Sequence, residues 1–421
     1  MSFLTLFCYC VLLSFTATSS AGSLSDAYNV FANVSAGYNK ELRPILDQFK
    51  NVSVSIEMFL ISIKNFDEVS GTLNVVAVFT ITWRDESLLW DPSLFGWLYN
   101  INIGQNNIWL PKLYNIKVSN SFSALSDNDL KVRIQHDGSI VWQPGGLIDV
   151  KCSPDVMYFP FDTQSCSIQL APWGYVRSEV DLKPAKSELT LDFYETNGEW
   201  SLEKTTTGTY VLSDISLATF NITIARLPAF HIVNTLMPIF LLMFMNPLVF
   251  VLPCDSGERV GFSLTVFLTF TVFITIVNSV LPANSESMSR LSYFIFVVLV
   301  VSGIIASINI FQLKMYFKDE SEKLPRWFAR LLRILDCRLK SSNDEVKSFC
   351  PENPDSKSVP DPNKKRRKPV VIREPSVVEA VPEMTWKDAV RIMDKFFTWF
   401  FYIAISVSSI AILVSMSQGN K

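Results

Sequence analysis

Catalysis needs residue types that this chain barely holds. Its two histidines, His136 and His231, stand apart with no carboxylate cluster beside either, and no Ser-His-Asp set or phosphate-binding loop is present. Neither an enzyme, nor a metal site, nor a cofactor is therefore expected. What the spacing can serve is a membrane crossing with one wettable side. Val260 to Leu281 is a run of 22 uncharged residues, bounded by Glu258-Arg259 and by Pro282. As a helix it is long enough to cross a ~30 Å hydrocarbon layer. Steps of three and four from Glu258 pick out Gly261, Thr265, Leu268, Val272, Thr275 and Ser279. That face gathers small and hydroxyl residues, and the other faces are greasy. The stripe suits a helix with one side to water. It equally suits a buried helix whose hydroxyls bond their own backbone.

The elements around this run follow from composition. The chain has 421 residues, is 49% hydrophobic and carries a formal net charge of -3, so several domains and a membrane part are expected and nucleic acid is not. Residues 1–21 read as a secretory signal peptide whose removal takes Cys8 and Cys10 with it. Of the remaining cysteines, Cys152 and Cys166 lie on the exported side, whereas Cys254, Cys337 and Cys350 fall in a reducing compartment. Sequons at Asn33, Asn51 and Asn221 agree with an exported N-terminal half.

Residues 22–227 alternate polar and apolar in short runs such as Phe79–Trp83, Lys131–Gln135, Ser167–Leu170 and Phe220–Ile224, and Asp137-Gly138 marks a hairpin. These runs predict a β-sandwich of ~200 residues. A short helix is expected within Tyr28–Phe49, where Pro44 is a breaker. Four apolar segments, Ile232–Leu252, Val260–Leu281, Leu291–Leu313 and Phe396–Met416, are each long enough to span a membrane. The expected layout is three spans in 228–313, a cytoplasmic loop over 314–395, a fourth span over 396–416 and an extracellular end at 417–421. The basic residues Arg326, Arg330, Arg333, Arg338 and Lys364–Lys368 fit an inner loop. Leu324–Leu339 reads as an amphipathic helix on the inner membrane surface. Asn343–Pro382 is too polar to fold, and Thr385–Lys395 reads as a helix entering the last span.

In this order the pieces resemble the Cys-loop receptors, pentameric ligand-gated ion channels such as the nicotinic acetylcholine and serotonin type 3 receptors. The resemblance rests on Cys152 and Cys166 enclosing Phe159-Pro160-Phe161-Asp162, on Leu252–Arg259, on Gly198-Glu199-Trp200, on Arg226, Pro228 and Phe230, and on Trp386-Lys387 with Asp394-Lys395. It implies a β-sandwich extracellular domain above a four-helix membrane domain, a Cys152–Cys166 disulfide worth ~3 kcal/mol in the entropic account, and a plasma-membrane pentamer, homomeric or heteromeric. The helix over Val260–Leu281 would line the pore, five copies of Glu258 would form an acidic inner ring, and Leu268 and Val272 would form the apolar constriction. Anion-selective relatives carry an inserted Pro-Ala where this chain has Ser256-Gly257-Glu258, so passage of monovalent cations is expected. Ser279 stands where many cation channels have an acid, against high divalent permeability.

The resemblance also places a small-molecule agonist between subunits, its ammonium held by aromatic rings. Trp173, seven residues after Cys166, would be the central ring, with Tyr175, Tyr114 and Tyr210 beside it. Val78, Ile134 and Gln143 would belong to the complementary face, with Val141 and His136, although His136 reads more readily as an ordinary strand residue. Val78 replaces the tryptophan of nicotinic receptors, and the adjacent-cysteine pair of acetylcholine-binding subunits is missing. Coupling to the membrane would pass through Asp67, Glu68, Phe161, Asp162, Arg226 and the segment starting at Pro282. An anion channel and a non-conducting accessory subunit are the competing readings.

Overall fold

The computed structural model describes residues 22–119, 122, 124–125, 129–282, 288–319, 322–341 and 384–418. The expected signal peptide, the polar stretch 343–382 with Lys364–Lys368, and the residues after Pro282 up to 287 lie outside the described residues. The chain divides into two compact units: one holds the residues up to His231 together with Asn278–Arg290 and Met416–Lys421, and the other holds Ile232–Val277 and Leu291–Ser415.

The first unit begins with helix α1, Leu24–Ser35. Ser23 caps it, its hydroxyl accepting from the Asp26 amide while the Asp26 carboxylate accepts from the Ser23 amide. This box fixes the start, and Val30 and Val34, four apart, are the buried face. The helix lies earlier than the expected Tyr28–Phe49, because it ends before Gly37, whose φ of +75° suits a glycine.

Among the described residues eleven strands follow: β1 Val52–Asp67, β2 Thr72–Arg84, β3 Asn100–Gly104, β4 Leu113–Asn115, β5 Lys131–Gln135, β6 Ser139–Trp142, β7 Gly145–Lys151, β8 Thr163–Pro172, β9 Val180–Pro184, β10 Trp200–Leu212 and β11 Ile215–Arg226. One sheet runs β3-β5-β6-β2-β1-β9, with β7 pairing the first half of β2, and the other runs β10-β11-β8-β4. The pairings are antiparallel except β1 with β9. Period-two alternation drives this sandwich: Phe79 and Ile81 of β2 and Phe220, Ile222 and Ile224 of β11 are fully buried. Phe79 and Phe220 meet edge to face across the core, centroids 5.8 Å apart. The expected hairpin falls between β5 and β6. Gly138 there has φ +79°, and a Cβ would stand 2.4 Å from the Asp85 carbonyl oxygen.

Among the described residues four helices, lying mostly in the second unit, are long and apolar enough to cross a membrane: α2 Ala229–Phe250, α3 Arg259–Val280, α4 Arg290–Tyr316 and α6 Trp386–Ser417. Between the last two lies α5, Arg326–Ser341. Thr385 starts α6 as expected, its hydroxyl accepting from the Asp388 amide. Stacked rings of Phe250 and Phe401, 5.9 Å apart, pack α2 on α6.

Candidate functional site

Strand β8 delivers its last residues to a tight turn in which Tyr175 donates its amide to the Pro172 carbonyl across Gly174, φ +96°. The turn sends two aromatic side chains opposite ways. Trp173 is 54% exposed, whereas the half-buried Tyr175 points back to Trp109, whose indole NH donates to its hydroxyl at 3.1 Å. Trp109 is held in turn by Tyr38, whose oxygen accepts from the Trp109 amide at 3.0 Å and whose hydroxyl donates to Asp85 at 2.7 Å. Burial pushes both the Tyr38 phenol and the Asp85 carboxyl above their usual ranges, the Tyr38 bond only partly offsetting it for Asp85.

Strand β4 pairs with β8 so that Tyr114 stands opposite Ala171. Phe122 then joins the two strands' aromatics: it stacks on Tyr114 at 4.8 Å and meets Trp173 edge-on at 5.1 Å. Tyr114, Phe122 and Trp173 thus form one partly exposed aromatic wall. Sequence reading missed Phe122, a lone aromatic in a polar stretch with no periodicity to place it. Tyr210, 55% exposed on β10, makes no ring contact with this wall among the described residues. Its hairpin closes at Ser213-Asp214, both at positive φ, and the Asp214 carbonyl accepts the Arg177 amide just beyond Trp173.

The other expected face lies on the other sheet. Val78 is partly buried and Gln143 is exposed, donating to the Thr80 hydroxyl at 3.1 Å. Ile134 is a correction: it is fully buried in the core, because β5 turns Val132 and Ile134 inward and presents Arg133 outward, in register with Asn102 and Val141. His136 packs edge-on against Tyr99, 5.5 Å away, which is an ordinary structural contact. Within one chain, no ring contact or hydrogen bond among the described residues joins the Trp173 wall to Val78 or Gln143.

At the other end of the sandwich the Cys152–Cys166 disulfide is formed. Its loop delivers Asp162 to Arg226 at the end of β11. Arg226 donates through Nε and Nη2 to the two Asp162 oxygens at 2.8 and 3.1 Å, and through Nη2 to Glu68. Its guanidinium lies 4.3 Å from the Trp200 ring centroid and 4.9 Å from that of Phe159. Burial pulls Arg226 down, and the Asp162 and Glu68 carboxylates more than reverse it, so its pKa sits above the usual range. Asp67 behaves differently: its carboxylate accepts from the Val69 and Ser70 amides, closing its own turn. Phe161 and Pro282 are both partly buried. In the same unit Arg290 lies 4.3 Å over the Tyr158 ring and donates its amide to the Met157 carbonyl.

The residues of the stripe, Glu258 just before α3 and Gly261, Thr265, Leu268, Val272, Thr275 and Ser279 on it, are all exposed, while Arg259, Ser263, Val266, Phe270 and Val277 are buried. The Thr265 and Thr275 hydroxyls donate to their own helix, to the Gly261 and Val272 carbonyls. The hydroxyls are thus satisfied locally, and their side of the helix faces away from the bundle of its own chain. Of the sequons, Asn33 and Asn51 are exposed, and Asn221 sits mid-strand with its amide donating to Thr206.

A β-sandwich joined to four apolar helices, with a disulfide-closed loop and a buried arginine at the sandwich's end, defines the architecture of a neurotransmitter-gated ion channel. Residues 27–228 match the neurotransmitter-gated ion-channel ligand binding domain and residues 235–368 the neurotransmitter-gated ion-channel transmembrane region. The chain belongs to this family, the Cys-loop receptors, which are ligand-gated channels and not enzymes. It is 28% identical over 334 residues to acetylcholine receptor subunit alpha-1-B of Xenopus laevis, covering 76% of this chain and 72% of that one. It is 27% identical to neuronal acetylcholine receptor subunit alpha-6 of Rattus norvegicus (73% and 64%) and 29% identical to neuronal acetylcholine receptor subunit alpha-3 of Carassius auratus (75% and 63%). The chain thus spans somewhat under two thirds of the latter two relatives.

Proposed function

We propose that this chain forms a cation-selective, ligand-gated channel of the plasma membrane. Five copies surround an aqueous path, and a small extracellular ligand bound between neighbouring sandwiches opens it. The observation that carries the reading is the sidedness of α3. A helix hydrophobic on nearly every face turns its hydroxyl-bearing stripe away from the bundle it packs in and buries the opposite face. Glu258 is exposed at the inner end, and five copies of it make a ring that favours cations. Leu268, 63% exposed, and Val272 are the large apolar side chains midway, where a closed path would dewet.

The ligand site is supported by the Tyr114–Phe122–Trp173 wall, which offers ring faces to an ammonium. Val78 and Gln143 belong to a surface that a second copy would bring opposite it. Nicotinic relatives favour a cationic agonist, but Val78 and the missing adjacent-cysteine pair argue against acetylcholine itself. Four crossings from an exported N-terminal domain return the C-terminus outside and place α5 at the inner surface. There Trp327, Leu331 and Ile334 are exposed between arginines and suit contact with lipid.

The test is to express this chain alone, apply a panel of small amines, and read currents while sodium or chloride is replaced. Cysteines placed along the stripe are then probed with thiol reagents. The reading fails if the chain reaches the surface and the Leu268, Val272 and Thr275 positions are closed to reagents with and without ligand.

A further inference from the structure

Glu258 and Arg259 are neighbours in sequence with opposite charges, and the structure sends them opposite ways. Glu258 is exposed, whereas the Arg259 side chain is 1% exposed. Each of its three guanidinium nitrogens is engaged on the side away from the stripe. Nε donates to the Val249 carbonyl at 3.0 Å, Nη1 contacts the Cys254 sulfur at 2.6 Å, and Nη2 donates to Asp394 at 2.6 Å. Val249 and Cys254 can orient the group but cannot neutralise it. The only carboxylate paired with it among the described residues is that of Asp394, which α6 supplies from 135 positions later. Asp255, also in the turn before α3, is exposed and instead accepts from the Tyr316 hydroxyl.

We propose that Asp394 is a specificity-determining residue for the sign of the permeating ion, acting through Arg259. An arginine at the first position of the pore helix would oppose the acid ring beside it. Pairing with Asp394 makes Arg259 electrically silent and holds it turned into the bundle, so Glu258 acts alone. Per subunit, Glu258 (-1), Arg259 (+1) and Asp394 (-1) sum to -1, and without the Asp394 charge the sum is 0. This inference rests on the cation-channel reading above. The plainer account is that the pair only staples α3 to α6, since buried ion pairs often serve register. A staple, when broken, lowers the amount of folded receptor and leaves its selectivity alone.

The experiment measures reversal potentials of the full-length chain under sodium chloride dilution, with surface labelling alongside. An uncompensated unit charge about 12 Å from an ion, at an effective dielectric of about 20, changes local occupancy on the order of tenfold, and salt screening reduces this. Asp394→Asn is therefore expected to lower the sodium-to-chloride permeability ratio roughly threefold to tenfold. Asp394→Glu should keep the ratio, and Arg259→Gln combined with Asp394→Asn should restore it. If Asp394→Asn does not reach the surface, co-expression with the wild-type chain at graded ratios puts one or two variant copies in each pentamer, and the ratio should fall with the dose. Currents of unchanged selectivity from Asp394→Asn or the mixed receptors overturn the proposal. So does a double variant that is no more selective than the single one. A wild-type chain that passes no cations overturns the channel reading itself, and this inference with it, which separates the two failures.

Discussion

Replacing Asp162 by asparagine strikes the centre of the charged cluster at the end of the sandwich. The carboxylate is 3% exposed and takes two hydrogen bonds from Arg226 and one from Gln164 at 2.6 Å. Asparagine keeps one acceptor oxygen and turns an amide donor towards a guanidinium that is itself a donor. Removing one partner of a buried pair costs about 3–5 kcal/mol. Glu68 still faces Arg226, so the lower end, about 3 kcal/mol, is expected. For a unit of ~200 residues, each kcal/mol shifts the melting temperature by about 2–4 °C, so the variant should melt about 6–12 °C lower. The assay is thermal unfolding of detergent-purified receptor. Pairing Asp162→Asn with Arg226→Met should cost at least about 1 kcal/mol less than the sum of the single changes, because the two residues share the interaction. A fall of under about 2 °C, or additive single and double variants, would refute the claim that this pair organises the end of the sandwich.

Other outcomes follow from the same structure. Leu268→Thr replaces the exposed apolar side chain midway along α3 with a wettable one and should raise the resting current of ligand-free cells under voltage clamp. Trp173→Ala removes a ring worth about 2 kcal/mol to a desolvated ammonium, so the half-maximal concentration of an amine agonist should rise about 30-fold. Tyr175→Phe, which touches only the Trp109 hydrogen bond, should shift it far less. Asp85 gives a pH prediction. Burial raises its folded-state pKa above the ordinary 3.8, so the folded protein holds the proton more tightly than the unfolded chain does. Stability is then highest below the unfolded value and is lost as pH rises through the raised one. Asp67, Asp91 and Asp137, held below the ordinary range by hydrogen bonds from Ser70, Ser93 and Ser139, slope the opposite way, so the wild-type minus Asp85→Asn difference in melting temperature should decline with rising pH over that window.

The sandwich and the four membrane helices were legible because each rests on a local pattern, alternation in one case and long apolar runs in the other. The register of β5 was legible too: Lys131-Val132-Arg133-Ile134-Gln135 alternates cleanly, and that alternation alone puts Ile134 inside. Placing Ile134 on the binding face by resemblance overrode the pattern, and the pattern was right. Phe122 was out of reach, since its position depends on a bridge between Tyr114 and Ala124 rather than on any spacing. The bonds of the two buried arginines were legible only in part: resemblance grouped Asp162 and Glu68 with Arg226, whereas nothing linked Asp394 to Arg259. Asp162 and Glu68 precede Arg226 by 64 and 158 positions, and Asp394 follows Arg259 by 135, so only the folded chain brings them together. Residues could be nominated from motifs, but not their bonds.

The β10–β11 hairpin has a mechanical consequence. Its pairing runs up to the turn, where Leu212 stands opposite Ile215, so the flap bearing Tyr210 has no slack with which to curl around a guest. It can only swing as a plank, and the irregularity between Leu202 and Lys204 is the place for it to flex. β11, 12 residues long, spans roughly 35–40 Å and ends on Arg226. The flap that bears Tyr210 and the guanidinium that ends the sandwich are thus carried on one ladder.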